Sequence, residues 1–161
     1  LGDALLALSR ETFIAGAFAF LIGHLFYIAL FLRAGMGVRT ALAQPVRVLG
    51  MAAMVAAAIA SSLLLAPPTS PLAAPLSVYS GVLTLMVLAS FTLPSARWLA
   101  IAGALLFFIS DGFVTLYMFH PNPDPGADFW LSFTGWMVYW GGQAALCVGG
   151  LGLHKRSPAA G

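Results

Sequence analysis

The chain has 161 residues, of which 61% are apolar and 7% charged, with a mean hydropathy of +0.97. Five acidic and seven basic side chains cannot cover a globule of this size, so most of its surface must face lipid rather than water. The net charge of +2 comes from basic residues scattered between long apolar runs, which excludes nucleic acid as a partner, and the single cysteine, Cys147, excludes a disulfide framework or a cysteine-built zinc cage.

In chain order, residues 1–8 (LGDALLAL) are too short to span a bilayer yet run apolar to the first residue. They are read as the C-terminal stub of a helix that begins upstream, in a chain truncated at its N-terminus. Spans are predicted at 13–34, 46–66, 72–92, 97–119 and 129–153, each near the roughly 20 residues that cross a hydrocarbon layer. The connections are short and carry breakers: Gly35, Gly37 and Pro45, then Pro67, Pro68 and Pro71, then Pro94, then Pro121, Pro123 and Pro125. The expected fold is all-α: a polytopic transmembrane helix bundle of five full spans plus the N-terminal stub, one domain over 1–161.

Small residues four apart predict three packing seams, because lipid provides no hydrophobic drive between helices and close backbone approach gains dispersion instead. The seams are Ala15, Ala19 and Gly23; Ala52, Ala56 and Ala60; and Gly141, Ala145 and Gly149. Near Ala74 and Pro75 the third span has the composition to unwind. If the spans alternate, Arg33, Arg39, Arg47, Arg97, Lys155 and Arg156 share one side and Arg10 alone lies opposite. That bias predicts a cytoplasmic C-terminus, in a bacterial inner membrane, with Trp98 and Trp130 at span ends where aromatic belts form.

Ionisable groups inside spans carry the most information, since an aspartate at mid-bilayer costs about 2.5–3.5 kcal/mol on insertion scales. Asp111 lies mid-span between Ser110 and Gly112, Asp3 lies in the stub, and His24 lies within FLIGHLFYI. Counting 1.5 Å per residue from the non-cytoplasmic ends sets Asp111 at about 12 Å, Asp3 at about 8 Å and His24 at about 16 Å, with Tyr79 at about 10 Å and Gln143 at about 21 Å. Shared depth points to a buried polar site entered from that half of the bundle. Each residue taken alone also fits a structural role, as an interhelical hydrogen-bonding group. The stripe Trp136, Trp140 and Gln143, with Tyr139 beside it, has helical spacing and suits packing or the wall of an acyl pocket.

The segments GDALLAL, GAFAFLIGHLFYI, YSGVLTLM, GALLFFISD and YWGGQAAL, in this order, resemble the YhhN/TMEM86 family over nearly the whole chain. The resemblance implies an integral membrane protein of about eight helices, of which this chain is expected to lack roughly the first two and a half. It also implies a lysoplasmalogenase-like activity: hydrolysis of a vinyl ether lysolipid to a fatty aldehyde and a glycerophospho-alcohol. The family's paired aspartates carry over to Asp3 and Asp111. Vinyl ether cleavage protonates the β-carbon and leaves an oxocarbenium-like cation that water captures, so it needs an acid and a nearby anion, as glycoside hydrolysis does. Asp111 is assigned as the acid and Asp3 as the anion or water-positioning base, the two sharing one proton. His24, Tyr79, Ser110 and Gln143 are assigned to the substrate, His24 to orient water or meet the headgroup phosphate. The expected partners are a lysophospholipid substrate and the membrane; no cofactor or metal is required.

Three rival readings use the same residues. Asp3, His24 and Asp111 suffice in type for a catalytic zinc site, although no HxxxH or HExxH spacing accompanies them. Buried carboxylates also suit a non-enzymatic transporter or lipid-binding protein that relays protons. A structural subunit would use its polar residues as interhelical glue alone.

Overall fold

A computed structural model of the chain describes residues 13–65, 73–120 and 124–151. Every described element is helical: α1 (Phe13–Ala34), α2 (Val38–Leu42), α3 (Pro45–Leu65), α4 (Ala73–Ser90), a 3-10 turn at Ser95–Arg97, α5 (Trp98–Phe119) and α6 (Pro125–Gly150). The predicted spans each coincide with one of the long helices. The stub at 1–8, with Asp3, lies outside the described residues.

Prolines and glycines set the boundaries. Pro45 and Pro125 are the first residues of α3 and α6, where the missing N–H would have no helical partner in any case. Pro75 sits in the first turn of α4 for the same reason, so the unwinding expected near Ala74 and Pro75 does not occur: the helix starts there. Asp124 caps α6 by accepting from the Gly126 N–H at 2.9 Å. After α1 the chain reverses through Gly37, whose φ of +92° is available to glycine at no steric cost.

Among the described residues, three helices are both long and apolar enough to cross a membrane, over Ala15–Ala34, Pro45–Leu64 and Ser95–Tyr117. α4 adds a shorter apolar stretch, Ala74–Ser90, and α6, with 26 residues, has the length but is diluted by Gly, Trp and Tyr. The chain is an integral membrane protein. Trp98 and Trp130 stand exposed at the starts of α5 and α6, as interfacial anchors do.

Packing runs chiefly between α5 and α6, then between α1 and α4, with α4 also touching α5 and α3. The backbones of α5 and α6 meet through glycine. A Cβ on Gly103 would lie 2.6 Å from the Leu146 backbone nitrogen, one on Gly142 would lie 3.1 Å from that of Phe107, and one on Gly149 would lie 2.8 Å from the Ala100 Cα. Gly135, Gly142 and Gly149 recur every seven residues, and all three are buried. The predicted seams need correcting accordingly. Gly141 has nothing within 4 Å of its Cβ position, Gly23 likewise, and Ala52, Ala56 and Ala60 are exposed on α3. Only Gly149 belongs to a real seam, because over two turns a seven-residue step holds one helix face better than repeated four-residue steps.

The core joins Phe31, Leu83, Met86, Val87, Leu93, Ala100, Ala104, Phe107 and Leu146, with Met54 the one contribution from α3. It gathers where α1 and α4 end and α5 begins. That end is tied by Arg47, a buried residue whose guanidinium donates to the Phe91 carbonyl, to the Leu93 carbonyl at 2.7 Å, to Ser95 Oγ at 3.2 Å and to Gln44 Oε1 at 2.7 Å. Met36 N–H donates to the Thr92 carbonyl at 2.9 Å, fastening the α1–α2 turn to the same knot.

Candidate functional site

Four helices bring polar side chains together in the other half of the bundle. His24 on α1 is 2% exposed, and its ring meets Tyr79 of α4 edge-on at 5.5 Å between centroids and Phe107 of α5 at 4.9 Å. Tyr79 donates a side-chain hydrogen bond to Asp111, one turn beyond Phe107 on α5. Asp111 is half-buried as a residue, yet its Oδ2 is fully shielded and has no hydrogen-bond partner; the same is true of His24 Nδ1. Tyr139 of α6 packs on Phe107 at 5.5 Å and on Phe20 at 6.2 Å, and accepts from Gln143 Nε2 at 3.2 Å.

The sequence-predicted residues therefore divide. His24, Tyr79 and Asp111 are in one cluster, and Gln143 reaches it through Tyr139. Ser110 is buried, but its hydroxyl donates to the Phe107 carbonyl of its own helix at 2.7 Å, so it lines the site without offering a hydrogen atom to it. Trp136 and Trp140 are 50% and 56% exposed, which sets the tryptophan stripe on the outer face rather than in a pocket. Among the described residues no three His, Cys, Asp or Glu side chains converge as a metal-ligand group. A set built on Asp3, His24 and Asp111 depends on a residue that lies outside them.

The cluster includes three residues that sequence reasoning did not assign to the site: Phe20, Phe107 and Tyr139. A signal for them exists. Each precedes an assigned polar residue by four positions, Phe20 before His24, Phe107 before Asp111 and Tyr139 before Gln143, so each shares that residue's helix face one turn away. Phe20, Phe107 and Tyr139 pack on one another in the middle of the cluster, and because α5 runs antiparallel to α6, Asp111 and Gln143 lie one turn to opposite sides of these rings.

The profile of the YhhN family matches residues 1–150. The chain belongs to the YhhN family. Neither a curated protein nor a solved structure matches it. The match takes in every described helix of this YhhN protein, and with them each member of the cluster, His24, Tyr79, Asp111, Tyr139 and Gln143. It also extends over Asp3.

Proposed function

We propose that this YhhN protein is a membrane hydrolase that cleaves the vinyl ether bond of lysoplasmalogen-like lysolipids, releasing a fatty aldehyde and a glycerophospho-alcohol. The observation that carries the proposal is Asp111: a carboxyl group inside an apolar bundle, held by Tyr79, with one oxygen shielded and unpartnered. Natural interiors seldom leave such an atom unsatisfied, and functional sites are where exceptions occur.

In this reading Asp111 delivers a proton to the β-carbon of the vinyl ether and Asp3 supplies the negative charge that stabilises the oxocarbenium-like cation. Tyr79 orients the Asp111 carboxyl, and Gln143 orients Tyr139 beside it. The acyl-derived tail lies among the hydrocarbon-facing side chains and the headgroup toward the membrane surface, as for any lysolipid in a bilayer. Lipid and substrate thus reach the site from the same phase.

The test uses the full-length protein in membranes with a vinyl ether lysolipid, and traps the aldehyde. Asp3→Asn and Asp111→Asn are each expected to abolish release while thermal unfolding stays near wild type. Full activity in both variants overturns the acid–anion pair. Proton or solute flux across proteoliposomes with no lipid product replaces the hydrolase with a transporter.

A further inference from the structure

We infer that His24 is the base of the water-addition step, taking the proton of the attacking water on Nδ1. The inference rests on the vinyl ether reading above and adds the group that reading lacks, an acceptor for the proton lost when water bonds to the cation.

Burial and partners single out this imidazole. A structural histidine in a helical bundle is ordinarily held by a carbonyl or hydroxyl. His24 is 2% exposed, and around its ring stand Phe20 at 6.4 Å, Tyr79 at 5.5 Å and Phe107 at 4.9 Å, none of which satisfies Nδ1. Two buried hydroxyls on the neighbouring helices are committed within their own helices: Ser110 donates to the Phe107 carbonyl and Thr84 to the Ser80 carbonyl, each at 2.7 Å. A neutral imidazole carries a proton on one ring nitrogen and accepts on the other, so with the proton on Nε2 the unpartnered Nδ1 is free to accept one from water.

Asp111 Oδ2 is the second orphaned atom, and the two lie about the same pair of side chains. Tyr79 packs its ring on His24 and hydrogen-bonds Asp111; Phe107 packs on His24 and sits one turn from Asp111. A water molecule has two hydrogens and satisfies two acceptors at once. Among the other described polar side chains of the cluster, Tyr79 is committed to Asp111, and the Gln143 amide, which donates to Tyr139, takes up no proton.

The steps balance as follows. Asp111 O–H transfers its proton to the β-carbon, forming a C–H bond and leaving a carboxylate and the cation. Water forms a C–O bond at the α-carbon and gives one proton to His24 Nδ1, producing the hemiacetal. The imidazolium then protonates the glyceryl oxygen as that C–O bond breaks, and the hemiacetal hydroxyl proton returns to Asp111 as the aldehyde forms. Both side chains end as they began, and one water is consumed.

The experiment follows aldehyde release in D2O together with deuterium at the β-carbon of recovered substrate, for the full-length protein in membranes. Wild type is expected to release aldehyde with little exchange, since capture outruns reversal. His24→Leu is expected to release aldehyde about a hundredfold more slowly or worse while exchange rises, because protonation persists and capture fails. His24→Asn, which keeps an acceptor near the Nδ1 position, recovers part of the rate by orienting water. Asp111→Asn loses both signals. Wild-type release in His24→Leu overturns the inference, as does joint loss of release and exchange with unfolding unchanged. Should His24→Leu fail to fold, wild-type release in His24→Asn overturns it instead. A wild-type protein that shows neither aldehyde nor exchange sinks the vinyl ether reading itself.

Discussion

Asp111 and its hydrogen-bonded neighbour Tyr79 show what a single side chain contributes inside lipid. A carboxyl there requires a donor, and among the described residues the Tyr79 phenol supplies one. A hydrogen bond to a charged group contributes about 1.5–3 kcal/mol, so Tyr79→Phe is expected to slow aldehyde release by about tenfold to a hundredfold, measured at saturating substrate, with unfolding little changed. Ser110 makes the opposite case. Its hydroxyl already serves the Phe107 carbonyl, so Ser110→Ala is expected to leave the rate within about twofold of wild type, and a larger drop in the same assay would show that the hydroxyl turns toward substrate.

Pairs of helices are held here by what glycine leaves out. Between α5 and α6, Gly135 faces Phe113, Gly142 faces Phe107 and Gly103, and Gly149 faces Ala100, and dispersion at this close approach replaces the hydrophobic drive that lipid cannot supply. Gly103→Ala forces its Cβ against the Leu146 backbone, which cannot rotate away as a side chain would. It is expected to cost about 1–3 kcal/mol, read as a lowered midpoint of thermal or denaturant unfolding in detergent. Gly141→Ala, on the same helix with nothing within 4 Å, is expected to be neutral or to stabilise by up to about 1 kcal/mol through helix propensity alone. The contrast between two adjacent positions, Gly141 and Gly142, locates the seam independently of any structure.

Across the whole molecule the two ends of the bundle do different work. One end is closed by the apolar core and by Arg47, which links α3 to the α4–α5 connection; the polar cluster, packed around its aromatic rings, lies away from that end. Arg47→Ala strands the carbonyls of Phe91 and Leu93, each in an interior position, and is expected to destabilise the fold by about 3 kcal/mol or more, with Arg47→Lys retaining part of the loss because one ammonium cannot serve all the acceptors at once. The distribution of Arg33, Arg39 and Arg97 on the closed end sets an expected orientation with that end in the cytoplasm. A reporter fused at the C-terminus is expected to be active on the cytoplasmic side, and moving the basic residues to the opposite connections is expected to weaken or invert that preference.

Hydropathy and breakers alone determined the membrane setting and the order of helices. Backbone groups in lipid must be satisfied within the segment, so an apolar run of sufficient length has no other structure open to it. The candidate polar residues were legible for a related reason: His24, Tyr79 and Asp111 stand out because lipid penalises them, and equal depth brought them to one layer before any contact was known. Depth, however, says nothing about rotation around a helix. Which glycines form the α5–α6 seam, that Arg47 is a buried tie rather than a surface charge, that Ser110 turns back on its own helix, and that Phe20, Phe107 and Tyr139 pack together among the polar groups were decided only when the helices packed. Every face of these helices is apolar enough to meet lipid, so the sequence pattern carries no preferred direction; neighbouring backbones supply it.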